Sequence, residues 1–167
     1  MINTKDQYQA RIEKLKNQME RQQVDLAIFG CGSGYQYLTG RDNGWRFRAD
    51  TLPASELLLV PMDDTPVLIG PNPHVDKENT LKDIRYLQLT KDTELSVLFE
   101  DVARKIGCRA NRVAIGEQPK VPAWLAIASV FQDAELVSGD KLLAPVRLIK
   151  DEFEVAILRK AAHLTDE

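Results

Sequence analysis

The sequence predicts a three-layer α/β/α domain built on a mixed sheet. Three observations lead there. Short, nearly continuous apolar runs such as "VDLAIFG", "SELLLVP" and "RVAIG" suit strands buried on both faces. The segments between them repeat apolar residues every three or four positions, the period of a helix that covers one side of a sheet. Two of the runs, "SELLLVP" and "TPVLIGP", are joined through the turn-rich "MDDT", which reads as a hairpin connection within the alternating plan.

Taken in order, Thr4 and Gln7 carry the signature of a capping box, and Tyr8, Ile12, Leu15 and Met19 then line one face of a helix to about Gln23. "VDLAIFG" follows as a central strand, "CGSG" as a turn and "YQYLTG" as a short helix or turn ending at Gly40. After the hairpin, "GPNPHVDKENT" is a loop and "IRYLQL" a strand. "ELSVLFEDVARKIG" places Leu95, Leu98, Phe99, Val102, Ala103 and Ile106 on one side of a helix, with Gly107 as its stop. "RVAIG" is a strand, "PAWLAIASVFQD" a helix with Pro122 in its first turn, and "AELVSG" the last strand.

Near "APVRLIK" the compact pattern gives way to a terminal helix, so the chain divides into residues 1–146, an α/β domain, and 147–167, the start of a linker helix. Asp151 caps that helix and Glu154 reaches back to the cap. Phe153, Ala156, Ile157, Ala161 and Leu164 form its apolar stripe. Neither Gly nor Asn closes it, and Asp166 and Glu167 stand against the negative end of the helix dipole. The expectation is a helix cut within a longer chain.

With 167 residues, 44% hydrophobic and 28% charged, the chain has the make-up of one globular domain and not of a disordered or fibrous protein. A net charge of -3 argues against a nucleic-acid partner, which needs a basic surface. No apolar run has the length of a membrane span, and "MINTKDQYQA" lacks a signal-peptide core, so the expected location is cytoplasmic. Cys31 and Cys108 form no C-x-x-C pair and read as free thiols.

The glycines of "GCGSG" miss the dinucleotide-binding spacing, and Ser33 lacks the flanking glycine of a nucleophile elbow. H-E-x-x-H, P-loop and Cys/His arrays are absent from the sequence. His74, Asp76 and Glu78 share one loop and read as solvated charge, and His163 as a surface histidine. No catalytic or metal-binding residue is assigned. The suggestive stretch is "RDNGWRFRAD", where Trp45 and Phe47 alternate with Arg46 and Arg48. That composition suits an interface anchor or an anion clamp, and equally an edge strand with aromatics inward and arginines outward.

Three segments together, the opening helix leading into "VDLAIFG", the "YLTG" of residues 37–40 and "VRLIKDEFEVAILRKAAHLTDE", resemble the N-terminal domain of the creatinase/prolidase family of "pita-bread" enzymes. The specific part is R-x-I-K-x-x-x-E-x-x-x-[LI]-R-x-A-A, met by Arg147, Ile149, Lys150, Glu154, Leu158, Arg159, Ala161 and Ala162. The resemblance implies a ribonuclease H-like α/β/α fold and a parent about twice as long, most often a metal-dependent Xaa-Pro dipeptidase or aminopeptidase. Its catalytic groups and two divalent metal ions (Mn, Co or Zn) would lie in a catalytic domain beyond this chain, which itself would be inactive. It also implies a homodimer acting on short proline-containing peptides or small molecules. Trp45, Arg46 and Arg48 would then serve substrate gating or the subunit interface. A creatinase-like C–N hydrolase and a non-catalytic peptide- or protein-binding module share the same N-terminal domain. Arg41 departs from the aromatic residue that many peptidase members place after "YLTG", which leaves the substrate class open.

Overall fold

A computed structural model describes residues 4–41, 56–71, 81, 83–90, 94–105, 110–116 and 119–165. The chain runs through α1 (Thr4–Arg21), β1 (Leu26–Gly30), α2 (Ser33–Thr39), β2 (Leu57–Pro61), β3 (Val67–Gly70), β4 (Arg85–Gln88), α3 (Leu95–Lys105), β5 (Arg112–Gly116), α4 (Val121–Val130), β6 (Glu135–Ser138), α5 (Asp140–Leu148) and α6 (Glu152–Thr165). The six strands form one sheet in the order β4-β3-β2-β1-β5-β6. β2 runs antiparallel to both β1 and β3, and every other neighbouring pair is parallel. The mixed sheet is therefore the expected one, and β2–β3 is the expected hairpin.

Side-chain alternation along the strands splits the core in two. Ala27 and Phe29 of β1, with Leu58 and Val60 of β2, face α1 and α5, meeting Ile12, Leu15, Met19, Leu142, Leu143 and Val146. Leu26 and Ile28, with Leu57 and Leu59, face α3 and α4, meeting Phe99, Val102, Ala123 and Ile127. Both faces of β1 and β2 are thus out of water, which is why these strands read as unbroken apolar runs. Each fully buried Leu, Ile or Phe contributes about 1.5–3 kcal/mol through apolar transfer. The edge strands β4 and β6 are short and present exposed residues at both ends.

Two local features differ from the sequence reading. Of the capping box expected at Thr4 and Gln7, the Gln7 half is not made, since neither the amide nitrogen nor the oxygen of Gln7 has a hydrogen-bond partner; the Thr4 side chain lies outside the described ones. The stretch "DKLLAPVRL" is itself a helix, α5, although Pro145 lies inside it. Proline removes one N–H and crowds the preceding turn, and burial of Leu142, Leu143 and Val146 against the sheet offsets that cost. Gly107, the expected stop of α3, and Cys108 lie outside the described residues.

α1 ends in a left-handed cap. Gln23 has φ 55, the Gln23 amide donates to the Glu20 carbonyl at 3.1 Å and the Val24 amide to that of Met19 at 2.9 Å. These are the two bonds of a Schellman motif, with glutamine where glycine is usual. Left-handed backbone costs a side-chain-bearing residue roughly 1–2 kcal/mol, against roughly 0.5–1 kcal/mol of extra chain entropy for glycine. Gln23→Gly is therefore expected to raise unfolding stability by about 0.5–1 kcal/mol in chemical denaturation; a loss of stability would contradict this account of the cap.

Candidate functional site

Two polar constellations break the apolar interior, and α2 contributes a tyrosine to each. In "SGYQYLT", Tyr35, Leu38 and Thr39 are buried and Gly40 closes the helix with φ 76, a left-handed cap whose amide bonds the Gln36 carbonyl. Thr39 Oγ1 donates to the Tyr35 carbonyl at 2.7 Å and accepts the Arg41 amide at 3.2 Å. This short hydroxyl and this glycine turn the chain so that Arg41 points back into the domain.

The first constellation is Tyr35, Arg41 and Glu56. The Tyr35 hydroxyl donates to Glu56 Oε2, and the Arg41 guanidinium donates to Oε1 at 3.1 Å. Tyr35 is fully buried and Glu56 is 6% exposed. Burial pushes the Tyr35 phenol far above its ordinary value, and the Glu56 charge adds to that, so the hydroxyl keeps its proton and remains a donor. Burial works against the Arg41 charge, yet the Tyr35 oxygen and the Glu56 carboxylate outweigh it and raise the Arg41 pKa. Gly70 makes room: a Cβ there would lie 2.8 Å from Glu56 Cγ and 3.2 Å from the Tyr86 hydroxyl, which donates to the Gly70 carbonyl at 2.6 Å. The pair Arg41–Glu56 joins the two ends of residues 42–55.

The second constellation gathers around Arg11 of α1, which is 6% exposed. Its guanidinium donates to the Tyr37 carbonyl at 2.9 Å, lies 4.1 Å from the Tyr37 ring centroid and pairs with Asp151 at 3.4 Å and Glu154 at 3.9 Å. Asp151 and Glu154 form the expected capping box: the Asp151 amide donates to Glu154 Oε2 at 3.0 Å, and the Glu154 amide to Asp151 Oδ1 at 2.8 Å. Arg147 donates to Ser33 Oγ at 3.1 Å and stands 5.6 Å from the Tyr37 ring centroid. "YLTG" and the segment "RLIKDEFE" thus meet in space, with two guanidinium groups over the Tyr37 ring. Burial pushes the Asp151 carboxyl up, but its bond from the Glu154 amide and the Arg11 charge outweigh this and hold it below the ordinary carboxylate value. A depressed carboxyl contributes stability that is present above its unfolded value, about 3.9, and is lost as pH falls through its folded one.

Trp45, Arg46 and Arg48 lie outside the described residues, as do His74, Asp76 and Glu78. His163 is exposed on α6 and Cys31 is half-buried. Among the described residues no three His, Cys, Asp or Glu side chains converge to hold a metal ion. No helix among them is long and apolar enough to cross a membrane.

Residues 11–149 match the family of the creatinase/prolidase N-terminal domain. The chain belongs to that family. In this creatinase/prolidase N-terminal domain "YLTG" and "RLIKDEFE" meet at the Arg11 and Tyr37 junction. Solved structures share the fold at low identity. A prolidase from Thermococcus sibiricus superposes with a TM-score of 0.78 at 20% identity, over 95% of this chain and 42% of its own. A dipeptidase from Pyrococcus horikoshii OT3 gives 0.76 at 18%, over 93% and 41%. The N-terminal domain of an Xaa-Pro dipeptidase from Lactobacillus brevis gives 0.61 at 16%, over 83% and 98%. The chain therefore spans less than half the length of the first two. No curated protein matches it.

Breaking a buried ion pair by removing one partner costs about 3–5 kcal/mol, because the other charge is left unmet. Glu56→Ala is expected to lose about that much in urea denaturation, and Tyr35→Phe, which leaves Arg41 paired, only about 1–2 kcal/mol. A Glu56→Ala variant as stable as wild type would show that the pair does not hold the stems of residues 42–55.

Proposed function

We propose that this chain is the non-catalytic N-terminal domain of a metal-dependent Xaa-Pro dipeptidase or aminopeptidase, where it serves oligomerisation and substrate gating. The observation that carries the reading is α6. It is capped, and it is tied to the domain at its first turn through Arg11, yet it has no buried residue and shows Ile157, Leu158 and Leu164 to solvent at 51%, 55% and 63%. An apolar stripe of that kind calls for a further partner. The family match supports a following catalytic domain as that partner, one that would carry the two divalent ions.

α4 supports the oligomeric role. Its sequence "VPAWLAIASV" holds no charged residue, and Val121, Trp124 and Leu125 stand exposed at consecutive-turn positions. Interfaces are depleted in charge and enriched in aromatic residues, tryptophan above all. Within this reading the protein is a cytoplasmic homodimer. Arg46 and Arg48 hold the carboxylate of a short substrate with paired hydrogen bonds, and Trp45 walls it.

The 167-residue chain is expected to hydrolyse no Xaa-Pro dipeptide with added Mn²⁺ or Co²⁺, whereas the parent protein does. In the parent, Arg46→Ala or Arg48→Ala should lower kcat/KM by one to two decades, about 1.4–2.7 kcal/mol. Turnover that co-purifies with the short chain, or wild-type kinetics in both arginine variants, would overturn the respective part of the proposal.

A further inference from the structure

Gln7 lies on the same stripe of α1 as Arg11, one turn earlier, and is 7% exposed. Neither atom of its amide has a hydrogen-bond partner, and the Nε of Arg11 is unpartnered too, although the other guanidinium nitrogens are engaged. Both side chains line a groove of about 280 Å³ between α1 and the start of α6. Ala10 and Phe153 give it apolar walls, and Lys14 and Glu152 put one charge of each sign on its lining.

A buried amide with a free donor and a free acceptor complements one chemistry best, the peptide group, which offers C=O and N–H together. A buried polar group left unsatisfied is destabilising, so a partner that supplies both bonds removes a standing penalty. α6 forms one wall of the groove and shows its apolar stripe to solvent, and in the prolidase and dipeptidase that this chain resembles the matched part is 42% and 41% of the polypeptide. Polypeptide continuing from α6 is thus tethered beside the groove at high effective concentration.

We infer that the groove seats a segment of the parent protein's following domain, whose backbone C=O and N–H bond the Gln7 amide while an apolar side chain enters between Ala10 and Phe153. The inference rests on the reading of this chain as an N-terminal domain.

The test is a reversal of sign. Gln7→Leu removes the unpaired amide, so it should raise the melting temperature of the 167-residue chain by about 2–4 °C. In the parent protein the same change should lower the melting of this domain by a similar shift. A rise in both proteins would show the groove empty in the parent; a fall in both would show the amide satisfied within the domain. Either result overturns the inference. Ala10→Met guards against a folding defect: Ala10 is exposed, so the variant should leave the short chain's melting unchanged and lower the parent's, and no change in either would also overturn it. A concentration-dependent dimer of the short chain that Gln7→Leu abolishes would assign the groove to a second copy instead, again overturning it. A parent that hydrolyses no Xaa-Pro peptide would sink the peptidase reading alone, since melting does not depend on turnover.

Discussion

A guanidinium almost wholly out of water has to be met by opposite charge and by hydrogen-bond acceptors, and Arg11 imposes that requirement on two distant parts of the chain. It sits on the apolar stripe of α1, so it is carried into the interface with α2 by the same burial that places Ile12 and Leu15 against the sheet. The Tyr37 carbonyl and ring answer from α2, and Asp151 and Glu154 answer from the first turn of α6. Desolvating one charge is costly enough that removing any of these partners leaves the others poorly placed. The capping box of α6 is therefore more than a local signal. It starts the helix and, with the same two carboxylates, fixes where the helix leaves the domain.

The Tyr35, Arg41 and Glu56 group applies the same physics on the other side of α2. There a carboxylate opens the apolar strand β2, and an arginine and a tyrosine meet it from the "YLTG" turn. Residues 42–55, which carry Trp45, Arg46 and Arg48, thus start and finish at a joined pair of stems. Gly70 and Gly40 are required by this arrangement for different reasons, one by the close approach of Glu56 and the other by its left-handed backbone.

Much of the fold was legible because it depends on periodicity and punctuation that act locally. β1, β2 and β5 are buried on both faces or nearly so, and their apolar runs say so; Pro122 and the Asp151–Glu154 spacing mark helix starts that the structure keeps. α5 escaped because Pro145 signals a break, and only tertiary burial of Leu142 and Val146 overrules it. The Thr4–Gln7 spacing suggested a cap whose Gln7 half is not made, since Gln7 is drawn into the groove beside Arg11. Of the polar constellations only the α6 cap was visible in advance. Arg11 left a signal that sequence reading can use, a charge standing between Tyr8, Ile12 and Leu15 on an apolar stripe. Glu56 left a fainter one, a carboxylate adjoining an apolar run. Their partners lie far away in sequence, and no local pattern names them.

Arg11 and the α6 cap are one electrostatic unit. Titration of the Asp151 carboxyl by carbon-13 NMR, in the wild-type chain and in Arg11→Met, tests it directly. The account predicts a wild-type pKa below the ordinary carboxylate value of about 3.9 and an upward move in Arg11→Met, where burial is no longer opposed by the guanidinium. The same Asp151 pKa in both proteins would contradict it.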